Sequence, residues 1–265
     1  MPPDLQSLFS LDGRRALVTG GSVSIGRAVA LVLAEAGADV AIQYAPDADA
    51  AFALPAAAEE TCSQIEALGR RTARVAADFR FTGEASRCVG DAQTALGGID
   101  ILVIAASVQS REAFGEVTAD EIARQTAVNF TATVELLQAA LPAMASRGWG
   151  RVLSIGSVNQ IRPEAQLSIY AALKSAQANL IGNLARQHAA SGVTLNTLSP
   201  GLIATERNRW RRKDPAEWAE IARRANPMGR AGSPQDLIGA ALLLCSNASA
   251  FITGADLQAT GGGHL

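Results

Sequence analysis

Arg15-Ala-Leu-Val-Thr-Gly-Gly-Ser-Val-Ser-Ile-Gly26 is an apolar run, then a turn of glycines and serines, then the first residues of an apolar helical stretch. Arg15–Thr19 has the length and composition of a strand, and residues 25–36 read as a helix that Gly37 stops. Glycines between a strand and a helix permit a tight turn and a close backbone approach. The helix that follows presents free N–H groups and the positive end of its dipole, which together suit a diphosphate. Taken alone this is also an ordinary Gly-rich turn; its place on the first strand-to-helix connection is what gives it weight.

The alternation continues along the chain. Residues 40–43, 72–76, 99–104, 151–155, 193–198 and 257–259 read as further strands, and residues 99–104 are the most apolar of them. Between them lie helical stretches at 56–68, 82–96 and 168–190, and one from a capping-box spacing at Thr118 and Glu121 to about residue 141. Asp214-Pro215 and Ser233-Pro234 place proline at the first position of two more helices. Strands that alternate with helices predict an α/β, doubly wound, three-layer fold of Rossmann type with a parallel seven-stranded sheet. No linker interrupts it, so residues 1–265 read as a single dinucleotide-binding and catalytic domain. The long Ala-rich connection at 45–55 is either a surface insertion, the preferred reading, or a lining for the adenine end of a cofactor site.

Composition narrows the function classes. A net charge of −2 gives no basic face for nucleic acid. Cys62, Cys88 and Cys245 lie far apart, without metal-ligand spacing, and read as buried thiols in a reducing compartment. The opening segment MPPDLQSLFSLDGRR has no apolar core of a signal peptide, and no apolar run reaches the roughly 20 residues of a membrane helix. A cytoplasmic protein without a membrane partner is the expectation.

Tyr170 and Lys174 stand four residues apart, on one face of a helix. An ammonium beside a phenol favours the phenolate, and a tyrosine tuned in this way exchanges protons near neutral pH. Tyr-x3-Lys also arises by chance. Ser157 lies 13 residues before Tyr170, after the fifth strand, and Asn129 lies in the helical stretch after the fourth.

These motifs together resemble those of the short-chain dehydrogenase/reductase family. The turn is similar to the family's Thr-Gly-x3-Gly-x-Gly: Gly20 and Gly26 match, and Ser24 stands where the family has its middle glycine. The resemblance makes Asn129, Ser157, Tyr170 and Lys174 the catalytic tetrad. In it Ser157 orients the reacting oxygen and Tyr170 is the general acid/base. Lys174 lowers the pKa of Tyr170 and binds ribose, and Asn129 supports a proton relay. It makes Gly20, Ser22, Ser24, Ile25 and Gly26 the diphosphate turn and places Tyr44 at the end of the second strand. Asp78 matches the acid at the adenine ring, and Pro200, Gly201, Ile203 and Thr205 match the segment beside nicotinamide. Gly254 and Gly261-Gly262 match the C-terminal signatures. After the fourth strand the family's Asn-Asn-Ala-Gly is replaced by Ile104-Ala-Ala-Ser107. Ile104 must brace the strands by packing, while Ala105 and Ala106 still let the adenine ribose approach.

The implied activity is hydride transfer between NAD(P)(H) and a small-molecule carbonyl or secondary alcohol. Within the family 3-oxoacyl-thioester reductases are the best match, with a small-alcohol or sugar dehydrogenase close behind. A non-catalytic NAD(P)-sensing protein is the reading from another class. Residues 43–45, Gln-Tyr-Ala, lack the acid that binds the ribose hydroxyls of NAD, which favours NADP(H) over NAD(H). Val23 supplies no phosphate partner, and Arg27 is the one candidate substitute. Residues 205–225 form the expected substrate lid, rich in arginine and containing Trp210 and Trp218. That basic stretch is either a rim for an acidic partner or a solvated face balanced by Glu206, Asp214, Glu217 and Glu220, the latter preferred. Gln160 and Arg162 are the polar candidates of the opposite wall. Family resemblance implies a homotetramer; the small residues of 121–141 and 168–190 would suit helix contacts between subunits or within one.

Overall fold

Four of the five positions of β1 (Arg15–Thr19) and all four of β4 (Ile101–Ile104) are buried, as strands covered on both faces must be. The computed structural model describes residues 4–265; residues 1–3 of the opening segment lie outside the described residues. In chain order it contains α1 (Leu5–Phe9), β1, α2 (Ser24–Glu35), β2 (Asp39–Tyr44), α3 (Pro46–Ala51), α4 (Ala57–Ala67), β3 (Thr72–Ala76), α5 (Glu84–Leu96) and β4. There follow α6 (Ala119–Thr126), α7 (Ala132–Arg147), β5 (Gly150–Ile155), α8 (Ser168–His188), β6 (Val193–Pro200), α9 (Pro215–Ala225), α10 (Gln235–Cys245) and β7 (Asp256–Ala259). The seven strands pair in the order β3-β2-β1-β4-β5-β6-β7, all parallel. The doubly wound three-layer fold is as expected.

Alternate side chains serve alternate layers. On β1 and β4, Leu17 and Leu102 pack with Leu136, Leu137 and Met144 of α7, whereas Val18 and Ile101 pack with Val29 and Leu33 of α2 and Leu244 of α10. The strand order reverses between β1 and β4, and the crevice beyond their C-terminal ends is where such sheets bind ligands. Among the described residues no helix is long and apolar enough to cross a membrane.

Four local readings change. The 45–55 stretch is not a plain surface insertion: Pro46 starts the short helix α3, and this helix turns Asp49 inward, where its Oδ1 accepts from Ser22 Oγ at 2.9 Å. The helix expected from Thr118 to about residue 141 is two helices joined by a π-helical turn, Ala127–Thr131, and it runs on to Arg147. Only half of the capping box forms, because Thr118 Oγ1 accepts from Glu121 N at 3.2 Å while the Glu121 carboxylate turns to Arg124 and Gln125. Pro234 flanks α10 rather than opening it.

Ile104 is buried and braces by packing, and the hydrogen bonds come from elsewhere. Thr19 Oγ1 donates to Val103 O (3.3 Å) and accepts from the amides of Ala105 (3.0 Å) and Ala106 (3.1 Å). One buried hydroxyl therefore ties the end of β1 to the loop after β4. Thr19→Val keeps the shape but leaves two inward amides without a partner; urea unfolding should show a loss of about 2–3 kcal/mol, with Thr19→Ser close to wild type.

Candidate functional site

A cavity of about 1340 Å³ opens at the C-terminal ends of the central strands. One end is built by the first turn. α2 starts at Ser24 with no side chain capping its amides and no acid in its first turn, so its N–H groups face the cavity without a protein partner. That donor set fits a diphosphate. Glycine is required here by contact: a Cβ on Gly26 would lie 2.0 Å from Gly20 O, and one on Gly20 would lie 3.0 Å from Ala106 N. Ser24 adopts φ +53°, the left-handed conformation a glycine would take freely, and its Oγ accepts from Glu206 N at 3.2 Å.

Tyr44, Asp78, Ala105 and Ala106 line the same end. The Arg80 guanidinium beside Asp78 (2.8 Å) holds that carboxyl below its ordinary range. Three residues that sequence reasoning did not select secure the turn. Gln43 accepts from Gly20 N at 2.8 Å and donates to Ala77 O at 2.7 Å, and Thr61 donates to Ser22 O at 3.2 Å. Asp49 is the third; burial pushes its carboxyl upward, and its Oδ2 has no partner. Arg27 turns outward to Glu60 at 3.5 Å, away from any phosphate partner role at the cavity.

At the other end Ser157, Tyr170 and Lys174 line one wall. Ser157 Oγ accepts from Asn159 N (3.2 Å) and Asn159 Nδ2 (3.3 Å), which fixes the hydroxyl in place. Lys174 is 2% exposed. Its Nζ donates to Ile155 O (2.7 Å) and Gln177 Oε1 (2.9 Å), and stands 5.9 Å from the centre of the Tyr170 ring. Gln177 donates to Thr133 Oγ1 (2.7 Å), which donates to the backbone carbonyl of Asn129 (3.3 Å). The Asn129 side chain itself clasps Val108 N and O at 3.0 and 2.8 Å. Asn129 thus reaches Lys174 through its carbonyl in the π turn, by way of Thr133 and Gln177. Neither intermediary carries a motif in the sequence; the π turn that aligns them has no hydrophobic signature.

Burial pushes the Lys174 ammonium down to about 7, with the Arg207 charge adding to the effect. Arg207 belongs to the lid. Pro200, Gly201, Ile203 and Thr205 line its base, and Thr205 caps the short helix Glu206–Arg212. The basic lid then divides. Arg209 and Arg212 pair with Glu206, and Arg223 and Arg224 pair with Glu220. Arg207 turns inward to Ser107 O and Oγ at 2.7 and 2.8 Å. Trp210 lines the cavity mouth and is 60% exposed. On the opposite wall Gln160 faces backward to Ser199 (3.0 Å) and Asp256 (2.6 Å), and Arg162 holds the carbonyls of Gly263 and Leu265 at 2.8 and 3.0 Å.

A family model described as enoyl-(acyl carrier protein) reductase matches residues 20–264. The chain belongs to the short-chain dehydrogenase/reductase family. It is an NAD(P)-dependent oxidoreductase of that family. A 3-oxoacyl-(acyl-carrier-protein) reductase of Agrobacterium tumefaciens, solved with NADP bound, is 43% identical with a TM-score of 0.92, over 98% of this chain and 97% of that one. A gluconate 5-dehydrogenase of Burkholderia cenocepacia, solved with NADP and tartrate, is 31% identical with a TM-score of 0.87, covering 97% and 98%. An L-rhamnose 1-dehydrogenase (NAD(P)(+)) of a Sphingomonas strain is 32% identical over 256 residues, 96% of this chain and 98% of its own.

Two outcomes follow from the geometry. Ser24→Gly relieves about 1 kcal/mol of backbone strain and forfeits a hydrogen bond of similar worth, so its unfolding free energy should stay within about 1 kcal/mol of wild type. Ser24→Ala loses the bond and keeps the strain, and urea unfolding should place it about 1 kcal/mol lower still. For Lys174 the folded protein releases its proton near pH 7 and the unfolded chain only near 10.4. Between those values only the unfolded state binds the proton, so this residue makes the fold more stable as pH rises, by up to about 1.4 kcal/mol per unit. Lys174→Met should subtract that slope from a denaturation series run from about pH 7 to 10.

Proposed function

We propose that the chain, over residues 1–265 as one catalytic unit with its lid at 205–225, interconverts a carbonyl and a secondary alcohol with NADP(H). The observation that carries this reading is the uncapped N-terminus of α2 and the Ser157–Tyr170–Lys174 wall in one cavity. The coenzyme would lie with its diphosphate on the amides of Ser24 and Ile25 and its adenosine between Tyr44, Asp78, Ala105 and Ala106. When bound, it supplies or accepts the hydride. NADP(H) is favoured because β2 ends without an acid and because relatives were solved with NADP bound.

In reduction, Tyr170 gives its phenolic proton to the substrate oxygen, while Ser157 Oγ, fixed by Asn159, holds that oxygen by a hydrogen bond. An ammonium has three donors, and Lys174 spends two on Ile155 and Gln177. The third is left for a ribose hydroxyl beside Tyr170. The Lys174–Gln177–Thr133 chain ends on the Asn129 carbonyl, so Asn129 would position the Lys174 ammonium, and its support of a proton relay would act through that placement.

The substrate end favours the sugar-dehydrogenase type over a long acyl chain. Ser107, Gln109, Ser110, Asn159 and Arg207 supply polar groups to its wall, beside the apolar Val108, Val158, Leu167 and Trp210. We further read the protein as a cytoplasmic homotetramer, supported by the small residues Ala172, Ser175 and Gly182 exposed along α8; size-exclusion chromatography with light scattering tests the assembly. The activity test follows NADPH absorbance with a panel of hydroxylated ketones, 3-oxoacyl thioesters and diketones. Turnover is expected with NADPH, and Tyr170→Phe should cut kcat by about 100- to 10,000-fold while coenzyme binding stays. Undiminished turnover in that variant would sink the mechanism.

A further inference from the structure

The arginines around the substrate end differ in how they are balanced. Arg111 pairs with Glu164 at 2.6 Å, Arg124 with Glu121 at 2.7 Å, and Arg224 with Glu220. Arg162, Arg207 and Arg211 line the same cavity, and among the described residues no carboxylate lies within ion-pair distance of them; Arg162 is spent on Gly263 and Leu265, Arg211 stands 5.9 Å from the centre of the Trp210 ring, and Arg207 faces the loop after β4. A guanidinium keeps its proton under all working conditions, so this is a permanent, uncompensated positive charge in a half-buried cleft.

The side chain is also aimed. Nη2 donates to both oxygens of Ser107, which fixes one edge of the plane at the loop after β4, beyond the Ala105 and Ala106 amides that Thr19 holds. Those bonds leave further N–H donors of the fork unspent. Nη2 belongs to both two-donor edges of the plane, so with it held by Ser107 a carboxylate would take a charge-assisted hydrogen bond from Nε or Nη1 together with the attraction of the full positive charge. Its charge is also felt at Lys174, so an anion bound there would offset the repulsion between the two cations.

We infer that the substrate carries a carboxylate, as a small hydroxy or oxo acid does, and that this group seats on Arg207 beside Ser107 at the edge of the catalytic wall. The inference rests on the oxidoreductase reading for the reacting carbonyl, and adds the charge that a substrate must bring to this cleft. Arg207 is a specificity-determining residue: it separates an acid from its neutral ester. The coenzyme diphosphate is the other anion near the lid, because Glu206 N meets Ser24 in the first turn. Ser107, which holds Arg207, adjoins Ala105 and Ala106 of the coenzyme end, so the test reads coenzyme binding beside the acid-to-ester ratio.

The test is calorimetry on the protein saturated with NADP+, titrated with paired probes: 2-oxo and 3-oxo acids of three to six carbons and their methyl esters. The acids should bind roughly tenfold or more tighter than the esters. Arg207→Gln should erase that ratio and Arg207→Lys should keep part of it, since it retains the charge but not the fork. Esters that bind as well as acids, or a ratio untouched in Arg207→Gln, would overturn the inference. If Arg207→Gln weakens NADP+ binding by a similar factor and leaves the ratio standing, the guanidinium serves the diphosphate and the inference fails. Turnover is scored apart from binding: acid selectivity without hydride transfer would refute the oxidoreductase reading and leave the anion seat in place.

Discussion

The site depends on how closely the first turn approaches the loop after β4. Gly20 lies against Ala106, where a methyl group would be tight at 3.0 Å, Gly26 lies against Gly20 with no room for one, and the Thr19 hydroxyl holds the two loops together through three hydrogen bonds. That contact puts the N-terminus of α2 at the mouth of the crevice where the strand order reverses. Gln43, Asp49 and Thr61 then hold the turn from the other side. A diphosphate needs this arrangement made in advance, since free amides attract an anion only when the backbone already points them at it.

The catalytic end follows from a second constraint, the burial of Lys174. An ammonium taken out of water must spend its donors well, and here two go to the end of β5 and to Gln177. The Asn129 carbonyl, in the π turn between α6 and α7, accepts from Thr133 one turn further on, and Thr133 accepts in turn from Gln177. The lid adds the remaining charge. Arg209, Arg212, Arg223 and Arg224 pair with Glu206 and Glu220, and Arg207 crosses inward to Ser107.

Much of this is legible in the chain itself. Short strand-like runs alternating with helices name a parallel sheet, and the glycine turn marks its first crossover. The helical spacing of Tyr170 and Lys174 also arises by chance; resemblance to the family is what joins them to Ser157, and the fold brings the three to one cavity. The partners of these groups are not legible, because they act through one hydrogen bond each and repeat with no period. Gln177 and Thr133 look like any polar residues of a helix face. Asp49 sits in an Ala-rich stretch that reads as loop, and only the short helix begun by Pro46 turns it inward. The lid is basic in the sequence; the distinction between Arg207 and Arg209 exists only in the direction each side chain takes.

The central claim is that the α2 N-terminus cradles a nicotinamide dinucleotide. Titration of NADPH fluorescence with the wild-type protein and with Gly26→Val tests it most directly. Saturable binding by the wild type, lost in Gly26→Val while the variant still melts cooperatively, is the predicted result. Equal binding by both proteins, or none by the wild type, would contradict the account.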